Sequence, residues 1–139
     1  MTRRLLAASL AAPLLLSTAP AFVDAQMIPR RIDAPVMLGG DPDMDACPSL
    51  GQVVGLDPNG DGFLSVRIGP GGSRYREIDR LYNGNKVSVC DRRGPWYSIV
   101  YPADEGECGV GTPWPVRQPY TGPCSYGWVH SRYVRIIAG

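Results

Sequence analysis

The chain has 139 residues, 14 of them basic and 13 acidic, with a single histidine. That length holds one domain with little to spare. The near-zero net charge argues against nucleic acid or an anionic membrane surface as the main partner.

The first 25 residues have the layout of an export signal. Arg3 and Arg4 form a positive start, Leu5 to Leu16 are apolar apart from Ser9 and Pro13, and Val23-Asp24-Ala25 precedes Gln26 as a cleavage site. The apolar run is too short to span a bilayer, so no membrane span is expected once the signal is cleaved. The protein is expected to be periplasmic or secreted and monomeric. Cleavage leaves 12 basic and 12 acidic residues, unevenly placed: residues 26–61 hold six Asp against two Arg, whereas 62–139 hold ten basic and six acidic side chains. Residues 26–50, with Pro29, Pro35, Pro42 and Pro48 interleaved with Asp, show neither helical nor strand periodicity. They are read as a flexible or extended N-terminal arm, pinned near its end if Cys47 is bonded.

The folded domain is placed at 51–139. Gln52–Leu56 is the first candidate strand. Asp57-Pro58-Asn59-Gly60-Asp61-Gly62 follows, a cluster of turn formers that also matches the opening of a calcium loop. The twelfth position of such a loop calls for Glu but is Ile68, so a hydrogen-bonded Asx/Gly turn is the preferred reading and no metal is assigned. Leu64, Val66 and Ile68 alternate on one face of a strand that ends at Gly69-Pro70-Gly71-Gly72. Glu77–Leu81 fits either one helical turn or an irregular strand. Asn83-Gly84 is a strong turn signal before the strand Lys86–Cys90. Asp91–Pro95 reads as a hairpin loop and Trp96–Tyr101 as its return strand. Alternation puts Val87, Val89, Tyr97, Ile99 and Tyr101 in the core and turns Ser88, Cys90, Trp96 and Ser98 outward. Pro102–Tyr126 is a long Gly/Pro-rich insertion, and Gly127–His130 and Tyr133–Ile137 are the last strands.

Four cysteines after an export signal point to two disulfides. Three pairings are possible. Cys108 and Cys124 flank most of the insertion, and an outward Cys90 is within reach of an arm carrying Cys47, so Cys108–Cys124 and Cys47–Cys90 are expected.

Short strands, turn signals about every ten residues and no convincing helix indicate an all-β fold, a small barrel of five or more antiparallel strands with a disulfide-closed insertion at 102–126. Leu64-Ser65-Val66-Arg67-Ile68-Gly69-Pro70 is similar to the opening of bacterial SH3-type (SH3b-like) domains. Tyr75, Ile78, Leu81 and Gly84 resemble that family's next segment, Gly94-Pro95-Trp96-Tyr97 its G-x-W-Y step, and Gly127-Trp128-Val129 its closing G-W-V. The resemblance covers roughly residues 51–137. Ile68, the insertion and the Cys47 arm depart from the pattern.

The resemblance implies a non-catalytic binding module of the bacterial cell envelope that recognises peptidoglycan or its peptide part. The alternative is a periplasmic or secreted protein-interaction or inhibitor module that uses the insertion. A recognition surface needs aromatic platforms with a few polar groups, which nominates Trp96, Trp114 and Trp128, with Tyr75 and Tyr126 behind them. Arg92 and Arg132 are candidates for meeting carboxylates. An enzyme is the disfavoured class: one histidine, no G-x-S-x-G serine, and cysteines expected to be oxidised leave no obvious nucleophile, and no cofactor is expected.

Overall fold

The computed structural model describes residues 33–104 and 106–139. The expected signal at 1–25 and the first part of the arm lie outside the described residues. The described chain is all-β, with nine strands: β1 (Met37–Leu38), β2 (Ser49–Val53), β3 (Leu64–Arg67), β4 (Glu77–Leu81), β5 (Lys86–Arg93), β6 (Trp96–Tyr101), β7 (Gln118–Pro119), β8 (Ser125–His130) and β9 (Val134–Ala138). A 3-10 turn at Ser131–Tyr133 separates β8 from β9. Among the described residues no helix is long and apolar enough to cross a membrane.

Seven strands form one antiparallel sheet in the order β4-β3-β8-β6-β5-β2-β9. The sheet curls around a single core to which both edge strands contribute: Leu81 from β4, Val134 from β9, and between them Val53, Leu64, Val66, Val87, Val89, Ile99, Tyr101 and Val129. The alternation expected for Leu64/Val66 and Val87/Val89 is what buries them. A closed barrel is not formed, because no pairing joins β4 to β9. The edge of β4 is blunted instead: the Arg80 backbone N–H is taken by the Asp79 carboxylate at 2.8 Å. On the strand β2 side, Asn83 ties the β4–β5 turn to Leu56 through two side-chain hydrogen bonds, at 3.1 and 3.0 Å. A single residue pair, Arg67↔Trp128, joins β3 to β8. Gly127 permits that approach, since a Cβ there would lie 2.5 Å from Val66 Cγ1 and 2.9 Å from the Arg67 carbonyl.

Several sequence expectations shift. Glu77–Leu81 is a strand, not a helical turn. The first sheet strand is Ser49–Val53, earlier than 52–56, because Leu50 and Gly51 pair with both β5 and β9. The β5–β6 hairpin is tighter than the Asp91–Pro95 loop anticipated: β5 runs to Arg93, and Gly94, at φ +55°, makes the turn with Pro95. Arg92 and Arg93 therefore pair with Tyr97 and Trp96 as strand residues.

The largest correction concerns the arm. Its described part, 33–48, packs on the outer face of β6 and β8, under the insertion. Val36, Leu38, Ala46 and Cys47 from the arm, Val100 and Trp128 from the sheet, and Val110 and Tyr120 from the insertion form a second buried cluster. Arm and insertion are joined backbone to backbone: β1 pairs with β7, Gly40 N–H donates to the Trp114 carbonyl, Ala46 N–H to Thr112, Cys47 N–H to Val110, and Tyr120 N–H to Val36. A Pro/Asp-rich stretch hides this role because the periodicity of a two-residue strand is too short to register, although Val36, Leu38 and Ala46 are all buried. The middle of the sheet is thus covered on both faces. Ser98, outward by alternation, is fully buried beneath this second layer.

Both expected disulfides are present, Cys47–Cys90 and Cys108–Cys124, and they staple the arm to β5 and close the insertion. All four cysteines are bonded, as suits an oxidising extracytoplasmic compartment.

Candidate functional site

The Asp57–Gly62 segment folds as the Asx/Gly turn: the Asp57 carboxylate accepts from Asn59 N–H at 2.8 Å and its carbonyl from Gly60 N–H at 3.1 Å. This turn walls a cleft of about 350 Å3 together with β3 and the end of β8. Three aromatic rings line it in a chain. Trp96 meets His130 edge to face with centroids 5.2 Å apart, and His130 meets Tyr133 at 6.3 Å. Such contacts hold rings in fixed orientations, which lowers the entropy lost when a ligand stacks on them. The His130 ring is further set by accepting the Arg132 backbone N–H at Nδ1, 3.2 Å, where it caps the 3-10 turn.

Charge of both signs reaches this cleft. Asp57 and Asp61 come from the turn, and Arg67 from β3, its guanidinium steadied by donating to the Tyr75 carbonyl at 2.9 Å. Arg132 lies over the ring of the cleft residue Tyr133 at 5.9 Å. Phe63 completes the apolar lining, with Arg80 stacked on it at 3.9 Å. Arg80 also pairs with Glu77, and the Ser65 hydroxyl donates to the same carboxylate. The Ser65 bond first, then Arg80, hold the Glu77 carboxyl below its ordinary value.

A second cleft, about 570 Å3, shares no lining residue with the first. It lies where the arm (Asp33–Val36), the β3–β4 hairpin (Ile68, Arg76, Ile78, Asp79) and the insertion (Pro119–Thr121 and Ser125–Gly127) converge. The buried Tyr101 hydroxyl donates to Asp79 there at 2.8 Å. Burial, followed by that hydrogen bond, pushes the Tyr101 pKa well above the usual tyrosine value.

The nominated residues divide accordingly. Trp96 is half-buried, packs on the second cluster and lines the first cleft, whereas Arg132 is not part of the lining and lies over the Tyr133 ring; Tyr126 is 44% exposed and lines the second. Tyr75 lines neither: its ring occupies the space that side chains at Gly69 and Gly71 would need. Arg92 lies over the Tyr97 ring at 5.7 Å and donates to the Gly94 carbonyl. Trp128 is 1% exposed, and its indole N–H donates to the Ala34 carbonyl at 2.9 Å, so it anchors the arm and presents no surface to a ligand. Trp114 is packed against the second cluster and donates to the Gly109 carbonyl at 3.2 Å. It holds the insertion down.

Sequence reading missed Phe63, Arg67, His130 and Tyr133 as cleft residues. In the sequence Arg67 and Tyr133 read as strand residues, and His130 stands as the single histidine with no partner in a motif. The one signal in the sequence is the turn Asp57–Gly62, which reads as an Asx/Gly turn or a calcium-loop opening and not as the wall of a cleft. Comparison with protein-family models, with curated proteins and with solved structures finds no match to this chain.

Proposed function

We propose that this protein is a non-catalytic binding module of the bacterial cell envelope, SH3-like in its organisation, which recognises the peptide part of peptidoglycan in the Trp96–His130–Tyr133 cleft. The observation that carries the reading is the chain of three mutually braced rings in a cleft that Asp57, Asp61 and Arg67 also line. A short wall peptide presents both ammonium and carboxylate groups on an otherwise modest apolar surface. Carboxylates at the turn suit its ammonium groups, Arg67 and Arg132 suit its carboxylates, and the rings supply contact area. A binding role also accords with the side-chain chemistry: every cysteine is bonded and the histidine Nδ1 is occupied by a backbone N–H. A periplasmic or secreted location belongs to the same proposal.

The second reading, a protein-interaction or inhibitor module acting through the 102–126 insertion, has one observation in its favour: Val116 is 68% exposed, as is half of Met44 in the adjoining arm.

Co-sedimentation with purified peptidoglycan sacculi tests the first reading. The protein should pellet with the wall and be released by soluble stem peptide. Trp96→Ala should weaken retention about tenfold or more, the scale of a buried aromatic anchor, with its circular dichroism unchanged. Protein left wholly in the supernatant, or Trp96→Ala retained like the parent, overturns the proposal.

A further inference from the structure

The second cleft does not enter that function. It is built almost wholly from the arm, the insertion and the hairpin edge they meet, and its volume of about 570 Å3 lies within the range small-molecule sites occupy. Three features define what would fit it.

The first is an aromatic platform. The Tyr126 ring is 44% exposed and is met edge-on by Tyr120, at 5.6 Å and 77°. Tyr120 is itself 3% exposed, and its hydroxyl donates to the Cys108 carbonyl and accepts the Cys124 N–H. The platform is therefore braced by a ring clamped to both halves of a disulfide, so little freedom remains to be lost on binding.

The second is a carboxylate with fixed direction. Asp79 accepts the Tyr101 hydroxyl on Oδ2 and the Arg80 N–H on Oδ1, each at 2.8 Å, which leaves further lone pairs facing outward from an oriented group. Because Tyr101 keeps its proton, it acts there as a permanent donor.

The third is Arg76. Among the described residues its guanidinium takes part in neither of the ion pairs and in no side-chain hydrogen bond. Ile78, 40% exposed, adds apolar floor.

These features discriminate among ligand classes. A phosphate-bearing ligand would face Asp33 and Asp79. A purely apolar ligand would strip water from Asp79 and Arg76 without replacing its hydrogen bonds. An extended peptide adding to β4 would have to displace the Asp79 side chain from the Arg80 N–H. A sugar ring meets all three demands: its apolar C–H face lies on an aromatic ring, and its neighbouring hydroxyls donate to a carboxylate and accept from a guanidinium. We propose that this cavity is a saccharide-binding site for one or two neutral hexose-type rings, with Tyr126 as platform and Asp79 and Arg76 reading the hydroxyls. The site is independent of the peptide cleft, and each stands or falls by its own residues.

The test is a titration of the full 15N-labelled protein, followed by NMR, with two soluble probes: a tetramer of N-acetylglucosamine and a tetramer of glucose. At least one should shift the amides of 33–36, 76–79 and 119–127 with a Kd at or below the millimolar range, and leave Asp57–Arg67 and His130–Tyr133 in place. Tyr126→Ala should weaken binding about tenfold or more. Should that variant disturb the insertion, as its spectrum would report, the exposed Arg76→Ala carries the same expectation without touching Tyr120. No shift by either sugar up to about 10 mM overturns the site, since that corresponds to negligible affinity. So do shifts confined to the Trp96–Tyr133 cleft, or unchanged affinity in a well-folded Arg76→Ala or Tyr126→Ala.

Discussion

Trp128→Phe separates anchoring from recognition at the residue where the two readings conflict. Trp128 is 1% exposed, at the centre of the second cluster, and its Nε1–H donates to the Ala34 carbonyl at 2.9 Å. Phenylalanine keeps an aromatic ring on β8 but removes that donor and part of the volume. Leaving the half-buried Ala34 carbonyl without a partner costs about 1 kcal/mol. A void of roughly 40 Å3, at about 24 cal/mol per Å3, costs about 1 kcal/mol more. The lost apolar burial brings the total to about 2–3 kcal/mol. For a domain near 100 residues that lowers Tm by roughly 10–20 °C. Cys47–Cys90 still tethers the far end of the arm, so the damage should be local to 33–46. Hydrogen exchange is the sharper assay. The amides of Ala34, Gly40 and Tyr120, bonded to Ile68, Trp114 and Val36, should lose about 30- to 150-fold in protection. A variant with unchanged Tm and unchanged exchange refutes the anchoring argument. Weakened wall binding at full stability would return Trp128 to a ligand role.

Three further outcomes follow from the same packing. Trp114→Ala should cost about 1–3 kcal/mol in chemical denaturation while leaving retention on sacculi unaltered, because the side chain supports the insertion and lines neither cleft; a stable variant with lost retention would contradict this. Tyr101→Phe should cost about 1 kcal/mol near neutrality by removing the bond to Asp79. Since folding raises the Tyr101 pKa, its contribution is complete below about pH 10 and is lost as pH rises beyond that, so the variant should show a shallower alkaline fall in stability than the parent; identical alkaline profiles would be the contrary result. Replacing Cys47 and Cys90 together by Ser should destabilise more than replacing Cys108 and Cys124. Their sequence separations of 43 and 16 correspond to about 4 and about 3 kcal/mol of loop-closure entropy; the reverse order in urea midpoints would show that the simple loop-entropy account fails here.

Acid behaviour adds a check on the first cleft's margin. Glu77 is held below its ordinary pKa by Ser65 and then Arg80, so its stabilisation is present above the usual carboxylate range and is lost as pH falls through the lowered value. Ser65→Ala should move the Glu77 titration, followed by NMR, upward. No movement would mean that the short contact between the two side chains is not made in solution.

Much of this could be read from residue order, because the period-two alternation of Leu64/Val66, Val87/Val89 and Ile99/Tyr101 admits only strands with those side chains inward. The turn at Asn83-Gly84, the Asx turn at Asp57 and both disulfides were likewise legible, since turn chemistry is local, Cys108 and Cys124 bracket the insertion, and Cys90 faces outward from its strand toward the arm that carries Cys47. The outer layer was not. A strand pattern says which residues face away from one core, but not whether a second element will cover them. Cys90, Ser98, Val100 and Trp128 share that outer side, and only the tertiary structure lays Val36, Leu38 and Ala46 over them and turns a presumed tether into a lid of the fold. The same holds for the clefts. His130 and Tyr133 are near neighbours of each other in sequence, but Trp96, Arg67 and the Asp57 turn reach them only through the pairing of β6 and β3 with β8. Sequence determined the strands of the inner core and the two staples, because alternation and cysteine placement are local to those segments. Which aromatic rings remain open to a ligand was decided by burial, which depends on every segment of the chain at once.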